Sequence, residues 1–331
     1  MNKTFRNIML GATVAGGMAL AVQPAQAEYN LTLCGASPGG LWSLLGNGVD
    51  TAVKESFPGS TITYQTSGGG FANIVQLDQK KCDLAIIHDA EVKAALSGQE
   101  PFKQPVDSMR TLAVMYTWAP LQLIMSKDYA DKNGITSIED IAAKKLPINI
   151  LLNRRGNVVS DIGASLLTAA GASEENIKSW GGSVTYAASK EQGELMRDRR
   201  ADAILNSLFV GHSSISQLAS AIDLALIPVG KETAGKVMKE WTIGSFTIPA
   251  GAYPWAPNAT NTVTVSAQLF VRADADPKMV TDLTTALVDN ADKVSGVHKA
   301  MSALDTKLMA SATAAPYHPA ADAVYKAKGL R

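Results

Sequence analysis

Residues 61–87 read TITYQTSGGGFANIVQLDQKKCDLAII, and this stretch decides the expected fold. Thr61–Gln65 alternates as a strand does, a glycine turn follows, residues 71–80 fit one helix, and residues 83–87 form an apolar run typical of a buried strand. A strand-like segment at residues 29–35 and a helix over residues 41–56 precede this stretch. The βαβαβ order predicts a mostly parallel sheet that helices cover on both faces.

The alternation resumes later in the chain. Helices are predicted over residues 138–143, 158–170 and 190–197, and strands over residues 147–152, 184–187 and 201–206. Apolar runs at residues 112–116 and 121–126 and the turn-rich residues 248–257 lie between the units, and a strand (262–273) and helices (277–294, 297–307) close the chain. We expect an α/β fold with lobe I at residues 28–128 and 255–331 and lobe II at residues 129–254, each a mixed, mostly parallel sheet flanked by helices.

The N-terminus has the pattern of a signal peptide. Lys3 and Arg6 precede the apolar residues 8–22, and the A-x-A pattern at residues 25–27 predicts cleavage after Ala27 and export to the periplasm. The remaining 304 residues carry 28 basic and 30 acidic side chains, a formal charge of −2, and no basic stripe. We therefore expect a soluble, monomeric protein that binds no nucleic acid.

The two cysteines allow either a disulfide or two thiols. Cys34 lies near the end of its predicted strand, whereas Cys82 comes just before the next one. If these strands are parallel neighbours, the two residues lie at opposite ends, farther apart than the ~4.4–6.8 Å between Cα atoms that a disulfide spans. Two unpaired thiols are the favoured prediction.

Three glycine-containing turns, each between a predicted strand and a predicted helix, indicate an anion pocket. Their sequences are GGLW at residues 39–42, SGGGFAN at residues 67–73 and NRRGN at residues 153–157. Free N–H groups and the positive end of the helix dipole lie at a helix N-terminus, and glycine allows a ligand to approach the backbone closely. Side chains near the same strand ends complete the predicted ligand-binding set: Ser37, Gly40, Trp42, Ser67, Gly69, Gly70, Asn73, His88, Asp89, Arg154, Arg155, Asn157, Asn206, Ser207, His212 and Tyr253.

Several of these predictions leave alternatives open. His88 and His212 can also be ordinary polar residues of loops, and Trp42 can pack in the core.

An arginine at a helix N-terminus can bind a carboxylate with two hydrogen bonds. Arg154 and Arg155 diverge, so only one of them is expected to reach the ligand, and an exposed surface pair is the alternative. Asn73 can equally bind the ligand or brace its turn.

The sequence also contains a possible nucleophile elbow, GASPG at residues 35–39. An elbow enzyme uses the backbone N–H of the residue after the serine, and here that residue is Pro38, which has none. The four histidines are isolated, so we expect no metal site and no cofactor. A secreted serine hydrolase built on Ser37 remains the rival of a protein that binds without reaction.

Several short motifs together resemble the TAXI family of solute receptors, which serve tripartite ATP-independent periplasmic (TRAP) transporters. They are GGLW (39–42), PG (58–59), TSGGGFAN (66–73), DLAI (83–86), SIEDI (137–141), IPAGAY (248–253) and HPAA (318–321), followed by Tyr325. Gly70 stands where the family usually has serine, and residues 154–157 (RRGN) replace a G-S-G-like turn.

The resemblance implies a two-lobed fold of the type II periplasmic-binding-protein kind and no enzymatic activity. It also implies that a small carboxylate, such as an amino acid, a 2-oxoacid or a dicarboxylate, is bound between the lobes and delivered to the membrane subunits of a TRAP permease. A neutral solute such as a sugar is the alternative within the class of binding proteins.

Overall fold

The computed structural model describes residues 28–331, so the predicted signal peptide lies outside the described residues. Its strands are β1 (Asn30–Cys34), β2 (Thr61–Gln65), β3 (Leu84–His88), β4 (Met109–Ser126), β5 (Asn149–Leu152), β6 (Ser183–Tyr186), β7 (Ala203–Ser207), β8 (Leu224–Ile227), β9 (Gly244–Ile248) and β10 (Thr260–Arg272).

The helices that precede β7 are α1 (Leu41–Ser56), α2 (Gly70–Asp78), α3 (Asp89–Leu96), α4 (Lys127–Asn133), α5 (Glu139–Ala143), α6 (Val158–Ala169), α7 (Glu174–Ser179) and α8 (Ser189–Arg197). Those that follow β7 are α9 (Ser213–Ala219), α10 (Lys231–Trp241), α11 (Pro277–Asp289), α12 (Ala291–Ser295), a 3₁₀ helix (Lys299–Ala303), α13 (Thr306–Met309) and α14 (Pro319–Ala327). None of the helices in residues 28–331 is long and apolar enough to cross a bilayer.

The strands form one mixed sheet in the order β2-β1-β3-β10-β4-β7-β5-β6, with β8 on β4 and β9 on β10. We call β1–β3 with α1–α3 and α11–α14 the first half, and β5–β8 with α4–α10 the second half. The strands β1, β2 and β3 pair in parallel, as do β5, β6 and β7, while β4 and β10 run antiparallel to their neighbours. The predicted mixed α/β sheet with flanking helices is confirmed, but the parallel pairing is limited to the two outer parts.

The strand β4 connects the two halves. Residues up to Pro120 pair with β10, and residues from Leu121 onward pair with β7 and β8. The sequence predicted two separate runs here because the segment Trp118-Ala119-Pro120 resembles a break. The structure carries the strand through the proline, and β10 passes alongside it, pairing with β3 in the first half and with β9.

All five residues of β3 are buried, which explains why the first four, residues 84–87, are all apolar. Leu84 and Ile86 face the main hydrophobic core, while Ala85 and Ile87 face a second cluster beneath α2 and α3. Successive side chains of a strand point to opposite faces, so a strand covered on both faces is apolar throughout.

The structure joins Cys34 and Cys82 in a disulfide, with their Cα atoms 5.8 Å apart, so the prediction of unpaired thiols is wrong. That prediction assumed that Cys82 continues the line of β3. Instead, Lys80 adopts a left-handed conformation (φ 60°) and Lys81 N donates to Gln76 O at 2.8 Å. The chain therefore folds back after α2 and brings Cys82 to the sheet face that Cys34 occupies.

Candidate functional site

A small cavity lies between the two halves, near the carboxyl ends of β1, β3, β5 and β7. Its volume is about 30 Å³, close to the share of one water molecule in the liquid. Six residues of the predicted set line it: Ser37, Gly40, Trp42, His88, Asn157 and Ser207. The other lining residues are Ala36, Leu41, Tyr116, Asn153, Val159, Ser189 and Leu208, and the predicted set contained none of them.

Two helices begin at this cavity without a capping side chain. The N-cap residues are Gly40 for α1 and Ala188 for α8, and neither has a side-chain acceptor. The two helices come from opposite halves and nearly meet, because a Cβ atom built on Gly40 would lie 3.7 Å from Ser189 Oγ. The first-turn N–H groups and the positive dipole ends of both helices therefore face the same small volume.

Three side chains at the cavity retain unused hydrogen-bond donors. The Ser37 hydroxyl makes no hydrogen bond within residues 28–331. Asn157 Oδ1 accepts from Val159 N (3.0 Å), and in the described chain its amide N–H groups have no acceptor. Ser189 Oγ accepts from Asn206 Nδ2 (3.2 Å) and donates to no group of residues 28–331. These donors can bind an acceptor-rich group.

On the first half, a buried hydrogen-bond chain forms the cavity wall. Trp42 Nε1 donates to Tyr116 Oη (3.0 Å), Tyr116 Oη lies 3.3 Å from His88 Nε2, and His88 Nδ1 lies 3.2 Å from Glu91 Oε2. Burial raises the pKa of the Tyr116 phenol far above its ordinary value, so the hydroxyl keeps its proton and donates to His88 Nε2. His88 is then the Nδ1–H tautomer, which donates to Glu91.

Glu91 is absent from the predicted set, yet its side chain is fully buried and links the two halves. Glu91 Oε2 also accepts from His88 N (3.0 Å), and Glu91 Oε1 accepts from Val158 N (3.1 Å), the first residue of α6. A Cβ atom on Gly70 would lie 1.7 Å from Glu91 Oε2, so the glycine leaves the space that the carboxylate fills. The sequence signal was the three-residue spacing from His88 to Glu91, which is that of a capping box.

The turn at residues 67–73 is braced by its own side chains. Asn73 is fully buried, and its Nδ2 donates to Gly35 O and Ile86 O, both at 2.8 Å. The Ser67 hydroxyl lies 2.5 Å from Asn73 Oδ1 and accepts from Gly69 N at 2.9 Å. Of the two roles left open for Asn73, the structure therefore displays the bracing one.

Gly69 brings the turns of the two halves into contact. Its φ of 121° lies in the region that favours glycine, and a Cβ atom there would lie 2.8 Å from Asn157 Cα. The close approach is between two backbones, so no side-chain movement would relieve it.

Three other predicted residues do not line the cavity. Asp89 accepts from Ser266 Oγ and Gln268 Nε2 of β10, each at 2.8 Å. Asn206 contacts Ser189 Oγ and accepts from Asn153 Nδ2 (3.1 Å), and so positions two lining side chains. The Tyr253 hydroxyl donates to Gln122 Oε1 (2.7 Å) and accepts from Gly211 N (3.1 Å). In this structure their polar groups bind protein.

His212 is a buried N-cap residue of α9 and does not line the cavity. Its Nδ1 accepts from Ser214 N (3.3 Å), and its Nε2 has no partner in the described chain. The ring stacks on His298, whose centroid lies 6.0 Å away. Burial, and then the neighbouring His298, lower the pKa of His212 to about 4, so the ring is neutral at pH 7.

The two predicted arginines are exposed and absent from the cavity lining. The Arg155 guanidinium lies over the Tyr186 ring, 3.6 Å from its centroid, and contacts Glu174 Oε2 at 3.4 Å. The backbone N–H of Arg154 donates to Asn153 Oδ1 at 2.8 Å. The structure thus brings the turn to the cavity through Asn153 and Asn157 rather than through its arginine side chains.

Within residues 28–331, no lysine or arginine lines the cavity. Asp161, in the first turn of α6, is half-buried; burial, and then the Glu91 carboxylate, raise its pKa to about 6. In residues 28–331, no three His, Cys, Asp or Glu side chains are arranged to hold a metal ion. Any anion in the cavity would therefore be bound by neutral donors.

The fold is similar to that of several solved binding proteins. PhnD1 from Prochlorococcus marinus, in complex with methylphosphonate, has a TM-score of 0.54 at 11% identity over 91% of this chain and 99% of PhnD1. MatC from Rhodopseudomonas palustris, with bound malate, has a TM-score of 0.55 at 12% identity over 82% of this chain and 88% of MatC. At such identities the likeness shows the fold, which is that of a periplasmic binding protein, as predicted.

The family match extends over almost the whole described chain, from residue 33 to residue 329. The family and the solved relatives are substrate-binding proteins, so the prediction that the chain is not an enzyme is confirmed. The chain belongs to the NMT1-like family.

Proposed function

We propose that the chain is an exported solute receptor of the TAXI type, which captures a small carboxylate between two lobes and delivers it to the membrane subunits of a TRAP permease. The observation that carries this proposal is the meeting of two uncapped helix N-termini, those of α1 and α8, at one cavity. Together with unused donors on Ser37, Asn157 and Ser189, they offer N–H and O–H groups to an acceptor-rich ligand.

The ligand class agrees with the solved relatives. Methylphosphonate on PhnD1 and malate on MatC are both small anions. In this chain the anion would be bound by helix ends and neutral donors, because no lysine or arginine of the described chain lines the cavity. The short TAXI-like motifs at residues 39–42, 66–73 and 318–321 support the same receptor class, and with it a location in the periplasm.

Solute entry requires the two halves to separate. A cavity of about 30 Å³ holds about one water molecule, whereas ligand sites of binding proteins are an order of magnitude larger. We place the hinge where β4 and β10 pass between the halves, near Pro120 and Thr264, which pair with each other. The lobes would then be residues 28–128 with 255–331, and residues 129–254.

Native mass spectrometry of protein purified from the periplasm without refolding tests the ligand class. We expect a retained mass that corresponds to a small organic acid, and calorimetry with that acid should give saturable binding at 1:1 stoichiometry. Small-angle scattering should show a smaller radius of gyration with the acid than without it. A retained sugar would instead support the neutral-solute alternative.

The hydrolase alternative is tested separately. A hydrolase would turn over an activated ester, and Ser37→Ala would abolish this turnover. The structure gives this reading no support, because the Ser37 hydroxyl has no histidine or carboxylate partner within residues 28–331.

A further inference from the structure

One carboxylate of the protein already occupies an anion-binding helix end beside the cavity. Glu91 comes from α3 of the first half, and its Oε1 accepts from Val158 N at the start of α6 in the second half. Its Oε2 accepts from His88 N and faces His88 Nδ1. The side chain is fully buried, directly behind His88, which lines the cavity.

The hydrogen-bond partners of Glu91 are those of a carboxylate. Two of its three partners are backbone N–H groups, which can only donate. The third, His88 Nδ1, must also donate, because His88 Nε2 is needed as the acceptor for the Tyr116 hydroxyl. A protonated carboxyl would lose an acceptor and gain an unsatisfied O–H, so this hydrogen-bond pattern requires the carboxylate.

The partners of the Glu91 carboxylate are two backbone N–H groups and the His88 ring. Lysine and arginine are absent from the hydrogen-bond and ion-pair partners of Glu91 within the described chain. Asp161 adds a second acidic group in the first turn of α6. Of the lining residues, His88 and Asn157 therefore adjoin the acidic Glu91, while Gly40 and Ser189 lie at the positive dipole ends of α1 and α8.

Building on the proposed function, we propose that Glu91 determines specificity: it occupies the anion site of α6, so the receptor accepts solutes with one carboxylate and rejects dicarboxylates. The single ligand carboxylate binds between the starts of α1 and α8. A second carboxylate on the same small molecule would point toward His88 and would be repelled by Glu91. Gly70 is needed for this position of Glu91, because any side chain at residue 70 would displace the Glu91 carboxylate.

Matched pairs of acids that differ by one carboxylate test this proposal. We choose lactate and malate, pyruvate and oxaloacetate, and alanine and aspartate, each titrated calorimetrically into the mature protein freed of retained ligand. In the pair that binds best, the monocarboxylate should bind the wild type at least about tenfold more tightly, a difference of about 1.4 kcal/mol. Glu91→Gln removes the charge and should reduce this ratio to threefold or less.

The matched control is Glu55→Gln, which removes one exposed carboxylate on α1 and should leave the ratio unchanged. A merely structural role of Glu91 would weaken both members of a pair equally and leave the ratio at its wild-type value, which would overturn the proposal. Equal binding of both members by the wild type would overturn it without any variant. Binding of none of the six acids by the wild type would overturn the proposed function, and this inference with it.

Discussion

The N-termini of α6 and α8 both face the cleft from the second half, yet within residues 28–331 only that of α6 has side-chain hydrogen-bond acceptors. At α6, Asn157 accepts from Val159 N and Glu91 accepts from Val158 N. At α8, the N-cap is Ala188, which has no side-chain acceptor. Where side chains of the protein accept from the free N–H groups of a helix N-terminus, that end has a structural role. Where no side chain accepts from them, a ligand can do so.

The difference between the N-termini of α6 and α8 depends on the close approach of the two halves. We expect Gly69→Val to disturb this approach most strongly. The valine would have to adopt a φ of 121°, and its Cβ atom would lie 2.8 Å from Asn157 Cα. We expect the halves to be unable to close and the affinity for the retained ligand to fall at least about 100-fold, or about 2.7 kcal/mol. Calorimetry measures the affinity, and circular dichroism checks the fold.

Gly68→Ala is the control for this variant. A Cβ atom at Gly68 meets only Ala72 Cβ at 3.5 Å, which is an ordinary contact, so its affinity should stay within threefold of wild type. Equal affinity in Gly69→Val and Gly68→Ala would mean that the two turns do not meet in the bound state.

The sequence predicted the positions that follow directly from strand order. His88 and Ser207 are the last residues of β3 and β7, and Ser37 follows the end of β1 by three residues. The carboxyl ends of parallel strands meet at one edge of such a sheet. Tyr116 lies within β4, near register shifts of the β4–β10 pairing, so only the tertiary structure shows that it reaches the cavity. The direction of a side chain in a turn is equally hidden, so the sequence does not show that the Arg155 guanidinium lies over the Tyr186 ring.

The role of Gly70 shows a different limit. The sequence shows only that the hydroxyl usual in similar receptors is missing there. The structure shows that the missing side chain makes room for Glu91, a residue 21 positions further along the chain. To recognise that one residue compensates for another, one needs either the contact between them or a set of related sequences. A single sequence supplies neither.

The stability at acid pH tests the lowered pKa of His212, whose ring stacks on His298 of the first half. The folded pKa of His212, about 4, lies below its unfolded value of about 6.5, so the unfolded chain binds more protons between these values. This contribution to stability is complete above pH 6.5 and is lost as the pH falls toward 4. At pH 4.5 the loss should be about 2–3 kcal/mol relative to pH 7.5.

Urea unfolding at both pH values measures this loss, with His212→Asn as the comparison. Asparagine retains an N-cap acceptor for α9 but does not titrate, so the variant should lose about 2 kcal/mol less than the wild type between the two pH values. Identical pH dependence of the two proteins would show that His212 carries no depressed pKa.

Gly70→Ala tests whether the missing side chain at residue 70 makes room for the Glu91 carboxylate at the start of α6. The added methyl group would displace the Glu91 carboxylate, and leaving Val158 N and His88 N without their acceptor should cost about 2 kcal/mol of the free energy of unfolding. In a Glu91→Ala background the same change should cost less than about 1 kcal/mol, because the space is empty. Purely additive effects in this double-mutant cycle would separate Gly70 from Glu91.

The smallest effect is expected from Arg155→Ala, which tests whether the cavity uses a cation at all. The guanidinium lies on the exposed side of its turn, over the Tyr186 ring and beside Glu174, and exposed pairs of this kind contribute about 0–1 kcal/mol. Its loss should therefore leave the affinity for the retained acid within threefold of wild type. If the arginine bound the ligand carboxylate in the closed cleft, the loss would instead be about 2–5 kcal/mol, at least 30-fold in affinity. Such a loss would mean that Arg155 leaves Tyr186 when the solute binds, and that the carboxylate is held by a charge as well as by the starts of α1 and α8.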